Sequence, residues 1–164
     1  MTATMLQATV VPRTSTLPHV GWWWEVETDI LSGSSRTAAP GETALALELS
    51  SPDGAVVVLD VIGGELCGLD IVIWPDLETV PALEAPADAH PGRVLLRTGP
   101  GAPQAEADLA VRVDGPERTV HLRVGPARPG RAIQVADHLI AEIDDEGLIS
   151  GFWLTGVPPF PSEE

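Results

Sequence analysis

Histidine, cysteine and carboxylate side chains are the groups of this sequence that could hold a metal ion. The four histidines are His19, His90, His121 and His138, and no two of them stand at the short spacing that places two ligands on one face of an element. Cys67 is the only cysteine, which excludes a disulfide within the chain and a multi-cysteine metal site. Its apolar neighbours predict a buried, inert thiol. From these spacings we expect no metal and no cofactor.

A proton-transfer pair is the second kind of chemistry that the spacing permits. His138 and Glu142 are four residues apart on a predicted strand, and residues at i, i+2 and i+4 of a strand lie on one face. Such a pair could act as acid and base, although ordinary pairing on a surface strand explains the same spacing. His121, on another predicted strand, is expected to point outward. Because the sequence has no nucleophile motif and no nucleotide-binding glycine motif, it favours a protein that is not an enzyme.

Three consecutive tryptophans, Trp22, Trp23 and Trp24, are candidates for binding a partner or a ligand. They are three of five tryptophans in a chain that has no tyrosine and two phenylalanines. On a strand, Trp22 and Trp24 point to one face and Trp23 to the other. We expect the first two in the core, and Trp23 either as a lid over the end of a barrel or as an exposed anchor.

The acidic residues form a third candidate surface. The chain carries 24 acidic and nine basic residues, all nine of them arginine, for a net charge of −15. Ten of the carboxylates and no cation lie between Arg36 and Arg93. This balance argues against nucleic-acid binding and is compatible with a basic protein as partner. The acidic candidates for such a contact are Asp60, Asp70, Asp76 and Glu78.

Short strands must position these side chains. Apolar residues alternate with polar or small ones at 45–49 and 109–113, and the runs 139–143 and 148–154 flank a further turn. The 16 glycines and 16 prolines favour turns over long helices. The pattern predicts an all-β fold: an antiparallel β-sandwich or a pair of β-meanders, with a closed barrel as the alternative. No apolar run reaches the ~20 residues that cross a bilayer, and no basic segment precedes the N-terminal apolar residues. We therefore expect a cytoplasmic protein that binds no membrane.

The order of strands and turns suggests an internal duplication within one compact domain, residues 1–164. Residues 43–78 and 107–157 each contain a strand, a proline-containing turn, a β-branched strand and a closing strand with a tryptophan. The stretch 79–92 is rich in proline and alanine and is predicted to be a surface linker. Three acids before Gly147, at 144–146, predict a further hairpin turn.

The second half resembles a family of small bacterial proteins known as domain of unknown function 2283. The resemblance covers about residues 109–157, and its motifs are the hairpin at 113–122, the strand and acidic-glycine turn at 135–147, and the glycine-containing strand at 148–154. Val113 stands where the family has Tyr, His138 where it has Gly, and Trp153 where it has Glu. The resemblance implies a β-meander and no activity.

Together these features favour a non-enzymatic acidic binding protein that acts through its acidic face and tryptophan cluster. An antitoxin-like or immunity-like inhibitor of a basic protein fits this description. The first alternative is a β-barrel that binds an apolar small molecule, as a cyclase-like biosynthetic enzyme acting by positioning would. The second alternative is a structural or assembly subunit. The oligomeric state is left open.

Overall fold

The structure, a computed structural model, describes residues 6–97, 104–114 and 118–159. It confirms the all-β prediction, with fourteen strands in these ranges: β1 (Gln7–Pro12), β2 (Trp23–Glu25), β3 (Ile30–Ser34), β4 (Ala44–Ser50), β5 (Val56–Ile62), β6 (Glu65–Ile73), β7 (Leu77–Thr79), β8 (His90–Arg97), β9 (Gln104–Glu106), β10 (Leu109–Asp114), β11 (Thr119–Val124), β12 (Gly130–Ala136), β13 (Leu139–Asp144) and β14 (Ile149–Leu154). Among the described residues there is no helix, and hence none with the length and apolarity that crossing a membrane requires.

All of these strands belong to one strongly curled sheet that forms a half-barrel. Its main path runs β7-β10-β11-β14-β13-β12-β8-β6-β5-β4-β9, while β1 pairs with β8, and β3 pairs with β2 and β6. The sheet is mixed and not purely antiparallel, because β9 joins β4, β7 joins β10 and β8 joins β12 in parallel. Within the described ranges the path is open, with β7 and β9 at its two ends, so the curled sheet is a half-barrel.

The two proposed repeat units share an order of strands in the sheet. In the first, the hairpin β4–β5 is followed by β6, which pairs with β5. In the second, the hairpin β10–β11 is followed in space by β14, which pairs with β11, and β12 and β13 are the additional strands. Each hairpin is flanked by a short parallel strand, β9 in one case and β7 in the other. The shared order agrees with a duplication, which stays a prediction.

The concave face of the sheet carries one continuous apolar core with residues from both units. Its largest fully buried side chains include Leu69, Ile71, Leu122, Ile149 and Phe152. Fully burying a side chain of this size contributes ~1.5–3 kcal/mol to stability. Cys67 is buried as predicted, and burial raises the pKa of its thiol, which the nearby Glu65 carboxylate raises further.

The predicted hairpin turn between β13 and β14 is present and is held by Asp144. The Oδ1 atom of Asp144 accepts the backbone N–H groups of Glu146 and Leu148 at 2.8 and 2.9 Å, and Gly147 has φ 82°. Its Oδ2 atom accepts the Nε–H of Arg128 at 2.6 Å. Burial would raise the pKa of Asp144, but these hydrogen bonds outweigh it and lower the pKa.

The segment predicted as a surface linker is anchored to the sheet. Leu83 is only 6% exposed and packs with Ile140 and Trp153 in a small second core on the convex face. Its N–H donates to Asp114 Oδ2 at 2.8 Å. The end of the predicted linker is also strand, because β8 starts at His90. Residues 80–89 therefore connect β7 and β8 while covering part of the sheet.

Candidate functional site

The tryptophan run alternates between faces as the sequence predicts. Trp22 is buried, Trp24 is partly buried against the core, and Trp23 is 54% exposed. The indole N–H of Trp22 donates to the backbone carbonyl of His138 at 3.1 Å. Gly33 makes room for this ring, since a Cβ at that position would collide with it. Trp22 is therefore a core residue, and Trp23 is the member of the run that meets solvent.

Trp24 forms one wall of an apolar cavity of about 370 Å³ at one end of the half-barrel. Its ring stacks on that of Trp74, with centroids 5.6 Å apart and planes inclined by 22°. The remaining apolar lining includes Leu77, Val113, Val120 and Val157. Volumes of ~300–1,000 Å³ are typical of small-molecule sites. The cavity therefore has the size and lining of a site for a compact apolar ligand.

The N–H groups of both tryptophans that line this cavity are already bonded. The Trp24 N–H donates to the carbonyl of Pro158, and the Trp74 N–H donates to the carbonyl of Asp29, each at 2.9 Å. An indole whose one polar group is satisfied offers only apolar surface to a ligand. The same two bonds fix the rings in place, so the aromatic wall is preformed. Arg118, an exposed residue with φ 54°, also lines the cavity.

Trp23 lies on the convex face of the first unit in line with two of the predicted acidic residues. The register places Trp23 opposite Ser32, and Ser32 opposite Asp70, so these three side chains share a face. Asp60, on β5, lies next to Asp70 on that face. Neither carboxylate forms an ion pair within the described ranges. Burial, and then the charge of Asp70, raises the pKa of Asp60 to about 6. Burial also raises the pKa of Asp70, against a hydrogen bond from Ser32.

The other two acidic candidates lie in a different place. Asp76 and Glu78 are exposed and line a groove of about 480 Å³ with Arg112, Arg123 and His121 of the second unit. Glu78 is the register partner of Arg112. Acidic and basic segments of the chain therefore meet in this groove. The four acids that were predicted to form one contact surface lie on two separate surfaces.

The predicted acid–base pair of His138 and Glu142 is not formed. His138 lies in the turn between β12 and β13, where its Nδ1 is 3.1 Å from Thr155 Oγ1, and not on the strand that carries Glu142. The partner of Glu142 is His121, whose Nε2 lies 2.7 Å from its Oε1. His121 does point away from the core, but it is only 8% exposed because surrounding side chains cover it. The prediction that paired His138 with Glu142 was wrong.

His121 and Glu142 form a pair whose geometry suits structure better than proton transfer. Arg112 reaches the Nδ1 of His121 at 3.5 Å, and Trp153 packs on the imidazole with centroids 4.4 Å apart. With Nδ1 accepting from a guanidinium and Nε2 bonded to a carboxylate, neither ring nitrogen is available to a substrate. Burial, the largest single effect, would raise the pKa of Glu142, but the hydrogen bond and charge of His121, with smaller contributions from Trp153 and Arg112, together lower it.

The His121–Glu142 pair spans the strand between β11 and β13 because that strand has a glycine at the crossing. Gly151 is opposite both Arg123 and Glu142 in the register. A Cβ at this position would lie 2.5 Å from Glu142 Oε1. Sequence reasoning missed the pair because its members are 21 residues apart on separate strands. Gly151, which places no side chain between the two residues, was the feature of the sequence that could have indicated the pair.

The sequence matches no protein-family model and no curated protein. The resemblance of residues 109–157 to domain of unknown function 2283 therefore stays a prediction.

Proposed function

We propose that this protein binds a compact, neutral, apolar molecule in the cavity beside Trp24 and Trp74. The observation that carries the proposal is the pair of stacked indoles whose N–H groups are both occupied by backbone carbonyls. A ligand on this wall gains dispersion contacts and buries apolar surface, and the indole N–H groups need no hydrogen bond from it. This is the small-molecule alternative of the sequence analysis, with binding in place of catalysis.

The charge of the protein narrows the ligand class. The protein has a net charge of −15, which repels an anionic ligand near its surface. This repulsion extends over the screening length, ~8 Å at physiological ionic strength. The cavity wall is dominated by valine, leucine, proline and tryptophan, and its charged lining residues, Asp29, Asp114 and Arg118, carry both signs. A charged ligand would therefore lose hydration on a mostly apolar wall and meet a like charge as well as an opposite one. A neutral molecule with a planar ring that can lie on an indole face meets both conditions.

A fluorescence titration with the neutral apolar dye N-phenyl-1-naphthylamine tests this proposal. We expect saturable binding that is insensitive to salt. Trp74→Leu should weaken binding by ~10-fold or more, equivalent to ~1.4 kcal/mol, because it removes part of the aromatic wall. Trp23→Ala is the matched control, since that indole lies on the other face of the same strand, and it should bind as wild type does. A folded Trp74→Leu protein with unchanged affinity would exclude the cavity as the site.

We also propose a second candidate function, the contact with a basic protein that the sequence analysis favoured. It is supported by the 54% exposed Trp23 on the same face as Asp60 and Asp70, two carboxylates with raised pKa values. A guanidinium seated between them would pair with the acids and stack on the indole. Two adjacent acids without a cation lower the stability of the fold. A role in a contact surface would explain why both are present, whereas a role in folding would not.

The second candidate predicts salt-dependent binding of an oligoarginine peptide, measured by fluorescence anisotropy. Trp23→Ala and Asp70→Asn should each weaken that binding, whereas Asp108→Asn, which removes an exposed acid elsewhere, should not. Trp74→Leu separates the two candidates, because it should affect the dye and leave the peptide unchanged. Equal weakening by Asp70→Asn and Asp108→Asn would show that only the overall charge attracts the peptide.

A further inference from the structure

Two histidines and an aspartate from distant parts of the chain meet at the turn between β12 and β13. One ligand atom from each of His19, Asp137 and His138 lies within 4.8 Å of the other two. The Nδ1 of His19 is 2.5 Å from Asp137 Oδ2, and the rings of His19 and His138 are 5.8 Å apart between centroids, nearly edge to face. This cluster is separate from the apolar cavity and from the acidic convex face. Neither proposed function uses it.

The backbone holds this cluster in place through both of its segments. The N–H of Asp137 donates to the carbonyl of Pro18 at 3.0 Å, and the N–H of Val20 donates to Asp137 Oδ1 at 2.9 Å. The carbonyl of His138 accepts the indole N–H of the buried Trp22. Because these bonds flank His19 on both sides, the three side chains converge through a built backbone frame and not through chance proximity of free loops.

The other hydrogen bonds of Asp137 and His138 occupy one side-chain atom of each residue, so a second atom of each can bind an ion. Asp137 uses Oδ1 for the N–H of Val20, which leaves Oδ2. His138 bonds the Thr155 hydroxyl through Nδ1, which leaves Nε2. Hydrogen bonding of the second ring nitrogen to a protein group is the usual way in which a metal-ligating histidine is oriented. A Cβ atom at Gly156 would lie 3.1 Å from the His138 ring. Glycine at this position therefore allows the ring to lie where it does.

We propose that His19, Asp137 and His138 form a binding site for a divalent late transition-metal ion such as Zn²⁺. Two imidazoles and one carboxylate suit zinc and its neighbours, whereas Mg²⁺ and Ca²⁺ prefer oxygen ligands alone. The ion takes the place of the proton that His19 and Asp137 share. That proton moves to Nε2 of His19 if the ring is neutral, or to solvent if the ring is protonated. Because the side chain of His19 is 72% exposed, the fourth coordination position faces water.

The alternative is that His19 and Asp137 are an ordinary surface pair. A hydrogen bond between two exposed side chains needs only the two groups, and it explains neither the third ligand nor the bond that orients the His138 ring. A metal site requires all three ligands and predicts that the loss of any one weakens metal binding. The two interpretations therefore differ in what His138 does.

Calorimetric titration of the full-length protein with ZnCl₂ tests the site. We expect one equivalent of Zn²⁺ to bind, and His19→Ala, Asp137→Asn and His138→Gln each to weaken that binding by ~10-fold or more. His90→Ala, which removes an exposed histidine from the start of β8, is the matched control and should bind zinc as wild type does. Zinc affinity equal in wild type and His19→Ala, or no binding in either, would overturn the proposal.

Thermal denaturation supplies an independent measurement. A ligand that binds only the folded state raises its stability in proportion to RT ln(1 + [L]/Kd), so excess Zn²⁺ should raise the Tm of wild type and of His90→Ala but not of His19→Ala. Since His19 is exposed, its loss should leave the Tm without metal close to that of wild type. A ~100-fold excess of Mg²⁺ should not displace the zinc. An equal rise of Tm in His19→Ala would place the bound zinc on other carboxylates and refute the site.

Discussion

Asp60→Asn is expected to stabilise the protein at pH 7. The carboxyl of Asp60 is half-buried on the convex face, and burial followed by the charge of Asp70 raises its pKa from 3.8 to about 6. A group whose pKa is higher in the folded than in the unfolded chain binds its proton more tightly when folded. At pH 7 it must nevertheless be ionised, so the folded state carries a charge that its surroundings disfavour. Asparagine keeps the shape and removes that charge.

The magnitude follows from the shift of the pKa and from the exposure of the group. A change from 3.8 to about 6 would correspond to ~3 kcal/mol at ~1.4 kcal/mol for each pKa unit. Solvent screens a carboxylate that is half-exposed, so we expect about 1 kcal/mol. The direction of the pKa shift also determines how the free energy of unfolding depends on pH. The wild-type stability that this group contributes is greatest below pH 4, declines between about pH 4 and pH 6, and is lost above pH 6.

Urea unfolding of wild type and Asp60→Asn at pH 4.5 and pH 7, followed by tryptophan fluorescence, measures this effect. The variant should gain about 1 kcal/mol at pH 7 and much less at pH 4.5, where the wild-type carboxyl is protonated when folded. Asp108→Asn controls for the net charge, and as an exposed substitution it should stay within ~0.5 kcal/mol of wild type. An equal gain at both pH values, or the same gain in the control, would refute the role assigned to burial and to Asp70.

Three further substitutions test the packing around the candidate sites, each by chemical denaturation. Leu83→Ala should cost ~2 kcal/mol, because residues 80–89 are packed on the sheet, whereas a free linker predicts no change. Gly151→Ala should cost ~1–3 kcal/mol, since its Cβ would collide with Glu142, and a wild-type stability would contradict the crossing described above. Arg128→Ala should cost ~3 kcal/mol by leaving Asp144 buried without its cation, and a loss below ~1 kcal/mol would show that the turn holds without the guanidinium.

The hairpins could be predicted from the sequence because they are local. Alternating apolar residues at 45–49 and 109–113, each followed by a segment that contains proline, are sufficient to specify strands that pair with their neighbours along the chain. The parallel strands Leu77–Thr79 and Gln104–Glu106 could not be predicted. Each has three residues, too few for a period of two to be visible, and each pairs with a strand that is not its sequence neighbour. Together with the parallel pairing of β8 with β12, these strands make the sheet mixed.

Residues of the candidate sites were predicted correctly only where the alternation of side chains along a strand determines the face on which a residue lies. Trp23 is exposed and Trp22 buried because successive side chains of a strand point to opposite faces. The cluster of His19, Asp137 and His138 was missed because a search for short ligand spacings cannot connect His19 with His138. The two segments are joined by a backbone hydrogen bond between Asp137 and Pro18. The same search paired His138 with Glu142, because it treated a turn residue as part of the strand.

The unusual run of tryptophans is explained mainly by the docking of the N-terminal segment onto the second unit. Trp22 donates to the carbonyl of His138, and Trp24 donates to the carbonyl of Pro158, more than a hundred residues later in both cases. Each indole therefore combines a large apolar surface with one directed hydrogen bond, and together they fix the strand that carries them. Two of the three tryptophans are thus accounted for by the fold, and Trp24 also forms the cavity wall as a consequence of the same docking. Trp23 is half-exposed, and it is the indole of the run that the proposed contact with a basic protein uses.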